Sequence, residues 1–484
     1  MIDVKDIVFP AAWSEDEKTR AKTEFLKRLA LLTHEFYGGK MQTFPKCGVS
    51  LELLNMWYTP GVSKISTTIR DNNDASFSLS NRGNLVAIVS DSTRVLGDGD
   101  CTSSGGLGVM EGKALLMKYL GGVDAVALCI DSRGEDGSHN PQKIIDFVKM
   151  VSPSFGAINL EDISQPNCFR VLDELREDCS IPVWHDDAQG TACVILAGLL
   201  NALKLAEKSL TDAKIVLLGA GAANAAVARF ILADGGDPSN MTLFDVNGAL
   251  HVDRADIERD ERYYQQWDLC RKTNPKKVNS IEKALQNADV LIALSAPGPG
   301  IVQPEWVRSM AKRAIVFACA NPAPEIWPHT AKKAGAFIVA TGRGDFPNQL
   351  NNSLCFPGLL KGALLACSRK ITDSMAIRCG HSIADFSEKQ GVSPNKIIAD
   401  MSETALFSEE AGDVAAAAVA EGLARVNISR EEARRRAEAD IATVRSTLRH
   451  LEEAGDIPPL PDELIQRALK EVGGEFNSEG ARSF

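Results

Sequence analysis

Two hydrophobic rhythms alternate along most of this chain. Short apolar runs, Leu85–Val89, Val126–Ile130, Ala157–Leu160 and Ile181–Trp184, have the length of buried strands. Between them, apolar positions return at helical spacing over 109–119, 141–151 and 169–176, and an amphipathic helix pattern over 14–36 comes first. Strand-length runs alternating with helix-length patterns predict a parallel sheet with helical crossovers. A second such unit opens with the run Lys214–Leu218. It continues through a helix-like 222–233 and the apolar runs 241–244, 290–294 and 315–318. Beyond about residue 354 the pattern is helical, over 359–367, 372–383, 414–426 and 428–453, and Gly473–Phe484 reads as a loose tail.

The chemistry-bearing residues sit where these rhythms change. Trp184-His185-Asp186-Asp187-Ala188-Gln189-Gly190-Thr191 places two carboxylates between a strand pattern and a long apolar helix pattern. Such a junction opens into the crevice where α/β enzymes bind ligands. A second acidic pair, Glu161-Asp162, follows the run Ile158-Asn159-Leu160. Carboxylates gathered at the ends of buried strands repel one another unless a positive charge joins them, and a divalent cation with oxygen ligands fits that need. Either of Asp186 and Asp187 alone would serve equally as a helix N-cap.

In the second unit, Gly219-Ala220-Gly221 follows a strand pattern and opens a helix that begins Ala222-Ala223. The next strand ends in Asp245. This is the dinucleotide fingerprint in its setting of strand, glycine turn, helix, strand and acid. Its third position is Asn224 rather than Gly or Ala. The loops Ser295–Gly300 and Asn321–Glu325 fall where a nicotinamide ring should lie. The expected fold is therefore α/β: an N-terminal α/β domain for substrate and metal over 1–190, a Rossmann-type domain over 191–353, and a helical C-terminal region over 354–484.

Composition narrows the classes further. A chain of 484 residues, 44% hydrophobic and 24% charged, has the make-up of a multi-domain globular protein. Its net charge of −11 leaves no basic footprint for nucleic acid. No uninterrupted apolar run has the length of a membrane helix, and Met1–Ile7 lacks the pattern of a signal peptide. The 11 cysteines include no C-x-x-C pair, so reduced thiols and a cytoplasmic setting are expected, without structural zinc or a disulfide framework.

Several motifs carry a family resemblance. Tyr58-Thr-Pro-Gly-Val62, Val109-Met-Glu-Gly-Lys113, Ile158–Asp162, His185–Ala192, Phe317-Ala-Cys-Ala-Asn-Pro322 and Ala340–Asn352 occur in the order seen in malic enzymes. From about His34 to Thr372 the chain resembles the shorter, bacterial-type members. The resemblance implies oxidative decarboxylation of L-malate to pyruvate and carbon dioxide, with NAD or NADP and with Mg²⁺ or Mn²⁺. It further implies Glu161, Asp162 and Asp187 as metal ligands, Lys113 as base held by Asp186, and Tyr58 as acid. Arg94 would grip a substrate carboxylate, and Asn321, Asn351 and Asn352 would meet substrate and nicotinamide. The implied partners are a small dicarboxylic acid and further copies of the chain, as a homodimer or larger homo-oligomer.

Two features modify that expectation. The loop Gly97-Asp-Gly-Asp-Cys-Thr-Ser-Ser104 replaces a more apolar family stretch, which leaves open a malate analogue as substrate. The alternative readings are a malolactic-type reaction with bound NAD and a silent nucleotide-binding paralogue. Asp245 is followed by Val246-Asn247, with no adjacent cation to meet a 2′-phosphate, so NAD is expected to be preferred.

Overall fold

The structure is a computed structural model that describes residues 7, 9, 10, 13–95 and 98–480, with side chains described up to 473. The expectations for the first six residues, for Gly97 and for 481–484 lie outside the described residues. The chain divides into two compact units, 1–46 with 444–484, and 47–443. In the first, the helices Glu15–Tyr37 and Asp462–Gly480 pair through Ala21, Phe25, Leu29, Leu32, Ile465, Ala468 and Val472. Ser14 and Glu17 form a capping box at the start of the first helix, which satisfies N–H groups that helix geometry leaves unpaired. The expected loose tail at Gly473 is corrected, because the helix continues to Gly480.

The larger unit contains two sheets. The first has four parallel strands in the order β2-β1-β3-β4: β1 is Leu85–Ser90, β2 Asp124–Cys129, β3 Ala157–Leu160 and β4 Val183–His185. β3 and β4 are in register with Leu160 beside His185, so the acidic pairs that follow each strand emerge side by side. The second sheet has the order β10-β9-β8-β5-β6-β7. Here β5 is Ile215–Leu218, β6 Met241–Asp245, β7 Gly248–Ala249, β8 Val290–Ala293, β9 Ile315–Ala318 and β10 Ile338–Thr341. All neighbours are parallel except β7, which folds back antiparallel on β6.

Between the sheets in sequence, β4 passes through one wide π turn, Asp186–Gly190, into the helix Thr191–Ala206. Such turns recur at functional sites because they displace a few side chains from regular helical positions. The joined helix Asp186–Ala206 is long and apolar enough to cross a membrane, unlike any segment expected from the sequence, but 78% of its apolar window is buried. It is the central helix of the core, with Cys193, Leu196, Ala197 and Leu199 wholly enclosed. The helix Asp373–Lys389 packs on it, Phe356–Leu365 packs against the helix Leu107–Gly121, and Ala405–Ala420 packs on both of these C-terminal helices, which explains the helical pattern beyond 354.

Candidate active site

Glu161 and Asp162 leave the end of β3, and Asp186 and Asp187 leave the end of β4. One carboxylate oxygen each from Glu161, Asp162 and Asp187 lies within 4.8 Å of the others. Asp162 has φ 52°, a left-handed conformation that Asp tolerates better than most residues. Its N–H donates to Asp187 Oδ2 at 2.7 Å, while Asn159 donates to Glu161 Oε2 at 2.8 Å. The turn is capped by His185, whose Nδ1 accepts the N–H of Ala188 at 3.3 Å. Neither aspartate is therefore spent as a cap. Burial pushes His185 down to about 4, so the ring is neutral and adds no charge.

Lys113, on the helix Leu107–Gly121, reaches this group from the other side. Its ammonium donates to Asp186 Oδ2, stands 3.0 Å from Glu161 Oε1 and 3.2 Å from Asn352 Oδ1, and lies 4.6 Å from the centre of the Phe356 ring. Asp186 accepts a second bond from Trp184 Nε1 at 3.1 Å. Asp186 is thus fully engaged, whereas Glu161, Asp162 and Asp187 face one another. Burial raises Glu161 to about 7 and Asp186 to about 6, although Lys113 opposes the rise in both. Burial also raises Asp187. For Lys113 burial acts downward, but Asp186, Glu161 and Asp187 outweigh it and hold the ammonium above its ordinary value. Three crowded oxygen donors, with Glu161 and Asp187 raised by burial, suit a hard divalent cation.

The nucleotide side is equally built. Gly219 has φ 98°, and a Cβ there would sit 2.4 Å from the Leu294 carbonyl, so the turn closes on the loop after β8. Gly221 opens the helix Ala222–Ala233 with no side-chain cap, which leaves its first N–H groups to an anion. Asn224 fills the third fingerprint position by donating its amide to the Leu218 and Gly219 carbonyls at 3.0 and 2.9 Å. Asp245 receives a two-pronged contact from Arg254, at 3.0 and 2.6 Å, and the Asn247 N–H at 2.8 Å. Arg254 also grips Asp256 with two bonds.

Two family profiles cover most of the chain: "Malic enzyme, N-terminal domain" matches residues 41–176, and "Malic enzyme, NAD binding domain" matches 188–422. The chain belongs to the malic enzyme family. The crystal structure of the Entamoeba histolytica malic enzyme superposes with a TM-score of 0.94 at 53% identity, over 96% of each chain. An NAD-dependent malic enzyme of Geobacillus stearothermophilus is 42% identical over 80% of this chain and 78% of its own. An NADP-dependent malic enzyme of Halomonas elongata is 38% identical over 69% of this chain and 76% of its own.

Within this malic enzyme chain, Lys113, Asp186, Glu161, Asp162, Asp187 and Asn352 meet in one cluster. Asn351 stands beside them in sequence, its side chain capping Ser353. Asn321 lies against Gly342, where a Cβ would come within 2.8 Å of its Nδ2. Arg94 joins the cluster by its backbone, donating its N–H to the Asp162 carbonyl at 3.0 Å, while its side chain is exposed. Tyr58 is not gathered in. It follows the helix Leu51–Trp57, is 73% exposed, and shares no hydrogen bond with Lys113 or the acids among the described residues. The described part of loop 97–104 turns outward, with Asp100 paired to Arg133 and His139. Sequence reasoning missed Arg254, nine residues past Asp245, because its partner is chosen by the β6–β7 turn. It also missed Trp184 as a second donor to Asp186.

Proposed function

We propose that this chain catalyses the oxidative decarboxylation of L-malate to pyruvate and carbon dioxide with NAD as hydride acceptor. The observation that carries this reading is the single buried cluster of Lys113, three mutually facing carboxylates and Asn352, in a chain that also holds an NAD-binding domain. Glu161, Asp162 and Asp187 would hold Mg²⁺ or Mn²⁺. The bound ion would polarise the C2 oxygen and stabilise the charge left when carbon dioxide departs. Lys113 would take the C2 hydroxyl proton, oriented by Asp186, while Arg94, whose backbone joins the acids and whose side chain is exposed, would offer its guanidinium to a substrate carboxylate. A cation held by Glu161 and Asp187 would withdraw part of the support that keeps Lys113 charged, with Asp186 remaining as its partner, and so would favour its action as a base.

NAD preference follows from the Asp245 site. Arg254 is consumed by Asp245 and Asp256, so it has no spare donors for a 2′-phosphate, and Asp245 is held where it can accept a ribose hydroxyl. The family also includes an NADP-dependent relative, so this assignment rests on the geometry of these residues. The segment 49–65 supports assembly with a second copy. Leu51, Met56, Trp57 and Tyr58 are 85%, 52%, 48% and 73% exposed, and no residue of the helix Leu51–Trp57 is buried. A contiguous apolar stretch of this kind marks an interaction surface. A second copy docked there would also enclose Tyr58, whose phenol is the proton donor this reading assigns to C3 of the enolate.

The test is a malate-dependent reduction assay with NAD and NADP, each with excess chelator and after metal is restored. The expected result is turnover that needs Mn²⁺ or Mg²⁺ and a higher kcat/KM for NAD. Full activity in chelator defeats the acid cage, and a higher kcat/KM for NADP defeats the reading of Asp245.

A further inference from the structure

Glu325 is wholly buried. No cation pairs with it among the described residues, and its carboxylate is spent on two loops. Oε1 accepts the Ser295 N–H at 2.8 Å and the Ser295 hydroxyl at 3.1 Å, while Oε2 accepts the Ala320 N–H at 3.1 Å. Its backbone carbonyl accepts the N–H groups of Gly300 and Val302, each at 3.1 Å. Ser295 lies in the loop after β8, and Ala320 lies in the loop after β9, which also carries Glu325. One residue therefore sets the distance between them. Burial raises the Glu325 pKa and the backbone donors at Ser295 and Ala320 oppose the rise.

The topology says what those loops face. The chain leaves β5 toward β6 on one side and returns at β8 on the other, so the order reverses between β5 and β8. Open parallel sheets bind their ligands in the crevice at that reversal. The glycine turn after β5 offers the anion site at the centre, and Asp245 at the end of β6 is placed to meet the adenosine ribose on one side. The other end of a dinucleotide must then extend over β8 and β9, above the two loops that Glu325 ties together.

We infer that Glu325 is a positioning residue for the nicotinamide half of the cofactor: its carboxylate sets the spacing of the loops 294–300 and 319–325 on which that half rests. The inference builds on the nucleotide-binding reading of this domain and adds a division of labour within it. The adenosine half depends on the glycine turn and Asp245, and the nicotinamide half depends on Glu325. A carboxylate suits the task because it accepts from two separate backbone N–H groups at once without donating to either. Glutamine would place an NH₂ group against one of them.

The experiment compares two ligands on the full chain, with folding monitored by thermal melting. NADH carries both halves of the cofactor and ADP-ribose lacks nicotinamide. Glu325→Gln is expected to weaken NADH binding about tenfold, the scale of one lost charge-assisted hydrogen bond. ADP-ribose should stay within about twofold of wild type. Ser295→Ala removes only the hydroxyl bond and should produce a smaller loss of the same selectivity, about twofold to fivefold. If Glu325→Gln fails to fold, Ser295→Ala decides the matter alone. Equal losses for both ligands, or no loss for either, overturn the inference. A wild-type chain that binds neither ligand defeats the nucleotide reading, and this inference falls with it.

Discussion

Asp186 and Asp187 are neighbours with opposite surroundings. Asp186 is enclosed, bonded to Lys113 and to the Trp184 indole, whereas Asp187 turns toward Glu161 and Asp162. The two should separate by mutation. Asp187→Asn is expected to weaken Mn²⁺ binding by at least about tenfold, since even indirect partners of a metal ligand are worth that much. Asp186→Asn should leave metal affinity near wild type but lower kcat, because Lys113 loses the carboxylate that orients it. The loss should approach the cost of losing the proton-transfer group itself, about 10²–10⁴-fold. Metal titration by calorimetry beside steady-state kinetics separates the two roles, and equal metal affinities in both variants would merge them. The acids themselves were legible in the sequence, because carboxylates ending buried strands are costly without a partner. Which of the two adjacent aspartates serves Lys113 came from the family resemblance and not from the residue pattern, since it depends on the path of the turn that follows β4.

That turn is the element on which the site depends. A Cβ on Gly190 would stand 2.0 Å from Asp186 Oδ1 and 3.3 Å from the Asn352 Cβ. The glycine there has an ordinary helical backbone, so the requirement is purely one of space. Gly190→Ala should therefore destabilise the fold by about 1–3 kcal/mol, as overpacking does. It should also displace Asp186 from Lys113 and lower kcat. Denaturant melts and kinetics on the same preparation test this, and a fully active variant of normal stability would contradict it. Hydrophobic rhythm foretold eight of the ten strands; the two it did not are β7, which has only two residues, and β10, a four-residue run at Ile338–Thr341. The short helix Leu51–Trp57 also escaped notice, because its apolar residues cover no core within one chain.

At the scale of the whole molecule, Tyr58 is the residue that one chain leaves apart. If a second copy covers the segment 49–65, Tyr58→Phe and Lys113→Ala damage separable parts of the assembly. Each variant alone is expected to lose about 10²–10⁴-fold in malate turnover. Mixing them under conditions that exchange subunits should restore part of the activity, provided the Tyr58 of one copy serves the Lys113 of the other. A mixture no more active than its components, from chains shown to have exchanged, would place the acid within one chain instead. The family resemblance could offer Tyr58 as the candidate acid. It could not show that the ring stands in solvent in the isolated chain.

The central claim is that the Lys113 cluster converts malate to pyruvate while NAD takes the hydride. Its most direct test is the product balance of the wild-type chain given L-malate, NAD and Mn²⁺, with pyruvate, lactate and NADH measured together. Pyruvate and NADH appearing in equal amounts, with no lactate, is the result this account predicts. Lactate without net NADH, or no consumption of malate, would contradict it.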